Sequence, residues 1–407
     1  MVQINELSTM SMNPFKKISE KLAHLPESKR VIALDLTRFL AMVMMIQGHT
    51  IAALVSPEHF NTELFPFNFW HFLRGFTAPV FLLVSGASHV FANKRLEDGT
   101  IPRTTNKKRI RMAVIIALIG YLYLFPANRL VDLPFIEPQY WIPFFQVNIL
   151  QLIGVSLLML LLVFNLTKND RQLRKVSLIV AISITLLSPF VHQVNWFNYL
   201  LEPFGAYLSF EHGSIFSIFP YTAFLFYGVV LGTYLKGKTA SERNTILVKY
   251  CAIAGVGFLA LQYPLEWIYE LIPFGINSIA KVNVSYVSMQ MGGVLLGVSA
   301  LTIIYAFTTK LSKLYILFGQ RALYIYIIHL IFIYGTPWFP SIGKIYAKEF
   351  TLAESIIAAV IVEVLTLGSI YLYEKSVEIY PRTRKAYKIS IGLVFAFLML
   401  LGSPLMF

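Results

Sequence analysis

The residues with chemistry to offer fall in three apolar stretches. The first runs Arg30-Val-Ile-Ala-Leu-Asp35-Leu-Thr-Arg38-Phe-Leu-Ala-Met-Val-Met-Met-Ile-Gln-Gly-His49. It carries an aspartate, an arginine and a histidine in a run otherwise suited to hydrocarbon. Ionisable groups are costly there, and by default they face a bundle interior or cavity that serves a function. Asp35 and Arg38 are i,i+3 neighbours. His49 follows Arg38 by eleven residues, about three turns, so all three share one stripe and Arg38 and His49 stand roughly 16 Å apart along the axis. An imidazole can take a proton from an attacking hydroxyl or amine near neutral pH. A guanidinium suits phosphate recognition. Asp35 is expected chiefly to orient Arg38, and with His49 it completes the candidate catalytic set.

The second stretch is Trp70-His71-Phe-Leu-Arg74-Gly-Phe-Thr-Ala-Pro79-Val-Phe-Leu-Leu-Val-Ser-Gly86. Trp70, His71 and Arg74 lie at one end of the next apolar run. There they could contact a polar acceptor or act as headgroup-level anchors. The third is Leu317-Phe-Gly-Gln-Arg321-Ala-Leu-Tyr324-Ile-Tyr326-Ile-Ile-His329-Leu. On one continuous helix Arg321 and His329 would be roughly 80° apart. Arg321 is a second candidate anion-binding group. His329 is either a second site histidine or a buried hydrogen-bonding residue. Glu363 sits in a later apolar run, and the residues leave open whether it is protonated, paired with an arginine or moves protons.

These side chains must be positioned by membrane-spanning helices. Of the 407 residues, 57% are hydrophobic and 14% charged, against about 25% charged in soluble domains. Mean hydropathy is +0.65. The chain therefore reads as an all-α, polytopic membrane bundle of about eleven transmembrane helices, over approximately 31–54, 72–92, 112–130, 144–166, 176–194, 214–235, 247–264, 285–308, 315–335, 353–373 and 389–407. With the N-terminus cytoplasmic, 28 of the 34 Lys and Arg fall on the cytoplasmic side, as the positive-inside rule requires. That rule explains the net charge of +13 without nucleic acid. Residues 1–30 form a basic cytoplasmic tail with no cleavable signal peptide, and 31–407 form one bundle. The single Cys251 excludes an intramolecular disulfide and offers no cysteine-based metal site. No Walker motif, dinucleotide fingerprint or metal-ligand cluster is present. Gly228/Gly232 and Gly293/Gly297 are spaced for close helix packing.

In order, these stretches resemble the multispan transmembrane acyltransferase superfamily. Arg38, ten residues, then His49 resembles the arginine-x10-histidine pattern of acyltransferase-3 proteins. The rest is more similar to bacterial relatives of the catalytic domain of heparan-α-glucosaminide N-acetyltransferase. Phe76-Thr-Ala-Pro-Val-Phe-Leu-Leu-Val-Ser-Gly86, Asn148-Ile-Leu-Gln151-Leu-Ile-Gly154, Phe216-Ser-Ile-Phe-Pro-Tyr-Thr-Ala-Phe-Leu-Phe-Tyr-Gly228 and Phe318 to His329 resemble that family's motifs, over about residues 30–335. Phe39 stands where the family has glycine, and Tyr221 stands in its second-proline region, where the usual Trp is absent. The large luminal domain of the lysosomal enzyme has no counterpart in the thirty residues before the first span.

The resemblance implies acyl-CoA, acetyl-CoA above all, as donor and a sugar-like acceptor, with no metal. Arg38, helped by Asp35, Arg321 and Gln151, would hold the donor at the cytoplasmic side. His49 would act as general base. His71, Arg74, His329 and Trp70 would orient the acceptor or stabilise the oxyanion. Direct transfer and a ping-pong route through acyl-His49 both stay open, as do O- and N-transfer and pairing with a second copy. The resemblance places such a protein in a bacterial plasma membrane. The residues also allow a transporter or flippase in which Asp35, Arg38, His329 and Glu363 move ions or bind cargo, or a scaffold in which the stripe clamps the bundle.

Overall fold

Backbone in hydrocarbon must satisfy its own hydrogen bonds, which leaves helices as the economical solution for an apolar chain. The computed structural model describes residues 30–61, 63–271 and 280–402. The expected tail, Arg30 apart, and the final residues of the eleventh expected span lie outside them. The structure is 78% helical with no strand among the described residues, so the fold is all-α. We label the main helices α1 Ile32–Leu54, α2 Phe67–Arg74, α3 Thr77–Ala92, α4 Arg103–Tyr123, α5 Ile149–Leu166, α6 Asp170–Val191 and α7 Ile218–Leu235. Then follow α8 Ala240–Glu270, α9 Val284–Phe307, α10 Ser312–Gln320, α11 Ala322–Tyr334, α12 Leu352–Ile379 and α13 Thr383–Leu401.

Each of the eleven expected spans falls on one of these helices or a consecutive pair. Among the described residues eight stretches are long and apolar enough to cross a membrane, or nine if α10 and α11 count as one broken span. The chain is thus a multi-pass membrane protein. The boundaries differ where a helix outruns its apolar part. Helix α4 starts at Arg103 rather than 112, and α12 continues past 373 to Ile379. Hydropathy marks where the apolar run ends, but Lys, Arg and Glu are good helix formers, so the coil continues through them.

The ninth expected span is not one helix. Helices α10 and α11 meet at Arg321 with a bend of 69°. The Arg321 N–H is shared between Leu317 O at 3.1 Å and Phe318 O at 3.2 Å, which tightens the last turn of α10. Arg321 and His329 therefore do not share a single helical surface, and the 80° separation expected for them does not apply.

Helix α1 is the hub: it packs against α3, α9, α10, α11 and α12. Helix α3 is in turn locked to α7. A Cβ on Gly86 would lie 1.9 Å from Leu225 O, and one on Gly228 would lie 1.9 Å from Leu83 O. The two backbones touch, as small residues at a membrane-helix interface permit. Gly232 continues this seam against Ala87. Gly293 instead meets the ring of Phe76, and a Cβ on Gly297 would meet nothing within 4 Å, so the expected tight packing holds at three of the four positions.

Candidate active site

The stripe on α1 has two ends, and they are built differently. At the first end Arg38 is half-buried and bridges three helices. Its Nη2 donates to Val84 O at 3.1 Å and to Ser88 Oγ at 2.9 Å on α3, and its Nη1 donates to Gly319 O at 3.1 Å on α10. The Gly319 carbonyl lies in the last turn of α10, where helical carbonyls lose their partners and the helix dipole favours a cation. The bend at Arg321 and the Arg38 side chain therefore support one another. Among the described residues Arg38 Nε is buried and has no hydrogen-bond partner.

Asp35 does not pair with Arg38. Its carboxylate accepts a two-pronged contact from Arg30, Nε to Oδ2 at 3.1 Å and Nη2 to Oδ1 at 3.0 Å. Gly319 lies against it: a Cβ there would be 3.0 Å from Asp35 Oδ1. The i,i+3 spacing brought the two residues to one face, but the carbonyls of α3 and α10 draw the longer side chain away. Asp35 also stands fourteen residues before His49, roughly 21 Å along the axis, so it does not touch the histidine. Arg321 is engaged as well, with its Nε 2.6 Å from Oε1 of Glu374 on α12.

At the other end the chain brings together residues nearly three hundred positions apart. The rings of His49 and His329 have centroids 5.7 Å apart and are inclined by 28°. His49 Nδ1 is 3.1 Å from the hydroxyl of Tyr334. Arg74, the last residue of α2, reaches back across α1 and donates from Nη1 to Gly48 O at 3.1 Å. It can do so because position 48 has no side chain: a Cβ there would lie 2.3 Å from Arg74 Cδ. The guanidinium also lies over the Trp70 ring at 5.4 Å.

His329 is fully buried, and its Nδ1 is 2.9 Å from Ile325 O. A carbonyl only accepts, so Nδ1 carries the hydrogen and Nε2 of the neutral ring holds a lone pair. That Nε2 is buried with no hydrogen-bond partner among the described residues. A neutral His329 held this way is an acceptor of hydrogen bonds, not a donor to an oxyanion. The donor at this end is Arg74.

The remaining expected site residues lie elsewhere or do other work. His71 is exposed on α2, and among the described residues no hydrogen bond or ring contact joins its side chain to the histidine pair. Trp70 is half-buried and packs edge-on against Phe60 at 5.8 Å, beside Ile51, Val55 and Ala359. Its contact with the cluster is through the Arg74 guanidinium. Gln151 is fully buried, and its amide serves the start of α5: Oε1 accepts from Asn148 N and Nε2 donates to Gln146 O, each at 3.3 Å. Glu363 accepts from Gln47 Nε2 at 3.1 Å and so pairs with an amide rather than an arginine. Among the described residues no group of three or more His, Cys, Asp and Glu side chains is placed to hold a metal.

Three participants were not singled out from the sequence: Ser88, Glu374 and Tyr334. A tyrosine at the end of an apolar helix reads as part of an interfacial belt, and only the approach of α11 to α1 gives it a partner.

No curated protein matches the chain. The family model described as heparan-alpha-glucosaminide N-acetyltransferase, catalytic, matches residues 30–261, more than half of the 407 residues. The match takes in Asp35, Arg38, His49, Trp70, His71, Arg74 and Gln151. Arg321, His329 and Tyr334 lie beyond it; His329 and Tyr334 join the matched part through their contacts with His49 on α1, while Arg321 pairs with Glu374 on α12, which also lies beyond it. By the extent of that match, the chain belongs to the heparan-alpha-glucosaminide N-acetyltransferase catalytic family.

Proposed function

We propose that this membrane protein takes an acetyl or other short acyl group from acyl-CoA at the cytoplasmic side, where its N-terminus lies. It delivers the group to a carbohydrate-type acceptor facing the outside of a bacterial plasma membrane. The observation that carries the reading is the cluster of His49, His329 and Arg74. In this reading the cluster supplies a proton acceptor, a second lone-pair acceptor and a cation at one end of a helix whose other end holds the half-buried Arg38.

Family membership and the residues at the Arg38 end fit a CoA donor. Arg38 retains one buried N–H without a partner, and a donor of that kind suits a phosphate oxygen. Arg321 is already matched by Glu374 and contributes less. Acyl-CoA supplies the activated carbonyl carbon. His49 Nε2, the ring nitrogen not facing Tyr334, takes the proton as the acceptor's oxygen or nitrogen bonds to that carbon. Arg74 faces the charge that develops on the carbonyl oxygen. The C–S bond then breaks, and His49 returns the proton to the departing sulfur. His329 Nε2 receives a hydrogen bond from the acceptor.

The test is acetyl transfer by the purified protein from acetyl-CoA to a panel of amino and hydroxyl sugars, with thermal melting measured alongside, with and without CoA. His49→Ala should abolish transfer, a loss of at least the ~10²–10⁴-fold that a general base provides, while the melting transition and the CoA-induced shift persist. Wild-type turnover in His49→Ala, or no response of the native protein to CoA, sinks the assignment.

A further inference from the structure

The scheme above leaves one polar side chain at the His49 end without a task. Tyr334 is the last residue of α11, five residues past His329, so one helix delivers both to α1. Its hydroxyl lies 3.1 Å from His49 Nδ1 and 3.5 Å from the carbonyl oxygen of His49 itself. The phenol ring stands edge-on to the imidazole, with centroids 5.7 Å apart and planes at 79°.

A phenol has one hydrogen, and it cannot serve both contacts. If the hydroxyl donates to Nδ1, the carbonyl contact is empty and the neutral ring carries its hydrogen on Nε2, with no lone pair there to act as a base. If Nδ1–H donates to the hydroxyl oxygen, the hydroxyl hydrogen is free for the carbonyl, and Nε2 bears the lone pair. Only the second arrangement satisfies both contacts. We propose that Tyr334 is the positioning residue of His49: it holds the ring hydrogen on Nδ1 and so makes Nε2 the proton-accepting atom. This deepens the acyltransferase reading and rests on it for its purpose, though not for its geometry.

The surroundings fix Tyr334 in place. Helix α11 stops at the next residue, where Gly335 adopts φ 69°, a conformation that favours glycine. A Cβ there would also lie 2.5 Å from Phe339 O. The reversed chain is closed by Thr336 N to Phe339 O at 3.1 Å and anchored by buried Trp338, whose indole donates to Asn128 O at 2.7 Å. The ring of His329 stacks against the same imidazole. His49 is thus held by one hydrogen bond and two ring contacts, and the hydrogen bond sets the tautomer.

The test is ¹⁵N NMR of the purified protein labelled at histidine, at pH 8, with the His49 signals assigned by their loss in His49→Ala. The native protein should show His49 with its hydrogen on Nδ1. In Tyr334→Phe the population should move toward the Nε2–H form. Turnover should then fall by about 10- to 100-fold, a part of what a general base supplies, with KM for acetyl-CoA within about twofold of native. A native His49 that carries its hydrogen on Nε2 overturns the proposal, and so does a Tyr334→Phe protein with native tautomer and native kcat. Because the tautomer is read from the spectrum without any turnover, the result separates this inference from the acyltransferase reading. A chain that transfers no acetyl group but shows the Nδ1–H form would sink the reaction and leave the positioning intact.

Discussion

The two ends of α1 hold similar residue types and treat them in opposite ways. At the Arg38 end, charge is matched by the protein itself: Asp35 by Arg30, Arg321 by Glu374, and the terminal nitrogens of Arg38 by two carbonyls and a hydroxyl. One N–H remains. At the His49 end, nitrogen lone pairs are left over: among the described residues His329 Nε2 has no partner, and the ring of His49 is hydrogen-bonded through Nδ1 alone. An end whose polar groups are matched suits holding and clamping, and an end with unmatched lone pairs suits proton transfer. The contrast shows why a stripe of three ionisable residues need not be one site. Hydrogen-bond partners, more than residue type, decide which end can react.

This contrast can be broken by experiment. His49→Ala has the largest expected effect on turnover and little on folding, as set out above. Arg38→Ala should do the reverse in emphasis. It leaves the carbonyls of Val84 and Gly319 without their donor and should cost about 2–5 kcal/mol of stability, read by thermal melting, and it should also weaken the CoA-induced shift. If Arg38→Ala melts like the native protein and only CoA binding falls, the clamp is not structural and the two ends are alike in kind. Gly86→Ala lies at neither end. Forcing a methyl group against Leu225 O should cost about 1–3 kcal/mol by overpacking, with the CoA response of the remaining folded protein unchanged; a selective loss of CoA binding would tie the α3–α7 seam to the donor end. The smallest effect belongs to Glu363→Gln. Its single contact is with an amide, and hydrogen bonds between membrane helices average about 0.6 kcal/mol. Melting and turnover should both stay near native, and a large loss of turnover would give Glu363 a part that its contact with Gln47 does not suggest.

Much of this was legible in the residues. The eleven-residue step from Arg38 to His49 gave the two-ended stripe, and the helices fell where the apolar runs predicted. What was not legible has a common physical cause. Arg38 is held by backbone carbonyls, which no residue type announces. Its expected tie to Asp35 failed because a long guanidinium reaches past its i,i+3 neighbour to a helix end. The bend at Arg321 depends on that same reach. Gln151 stood in a motif-like stretch, yet its burial and amide contacts make it a helix start. His71 and Arg74 are three residues apart on one short helix, and only Arg74 is long enough, with room enough over Gly48, to reach the Gly48 carbonyl beside His49. Tyr334 needed the fold of α11 against α1 before it had any partner at all.

Gly48 has a consequence for how variation along this helix should be read. A substitution to alanine is ordinarily the mildest change a helix can receive, and at most positions it would be silent. Here the missing methyl group is the passage through which Arg74 crosses α1. Adding one carbon at position 48 would displace a positive charge next door to His49 without altering any ionisable residue. The electrostatics of position 49 are therefore inherited from its neighbour's emptiness, and a variant invisible to a tally of charges would still change them.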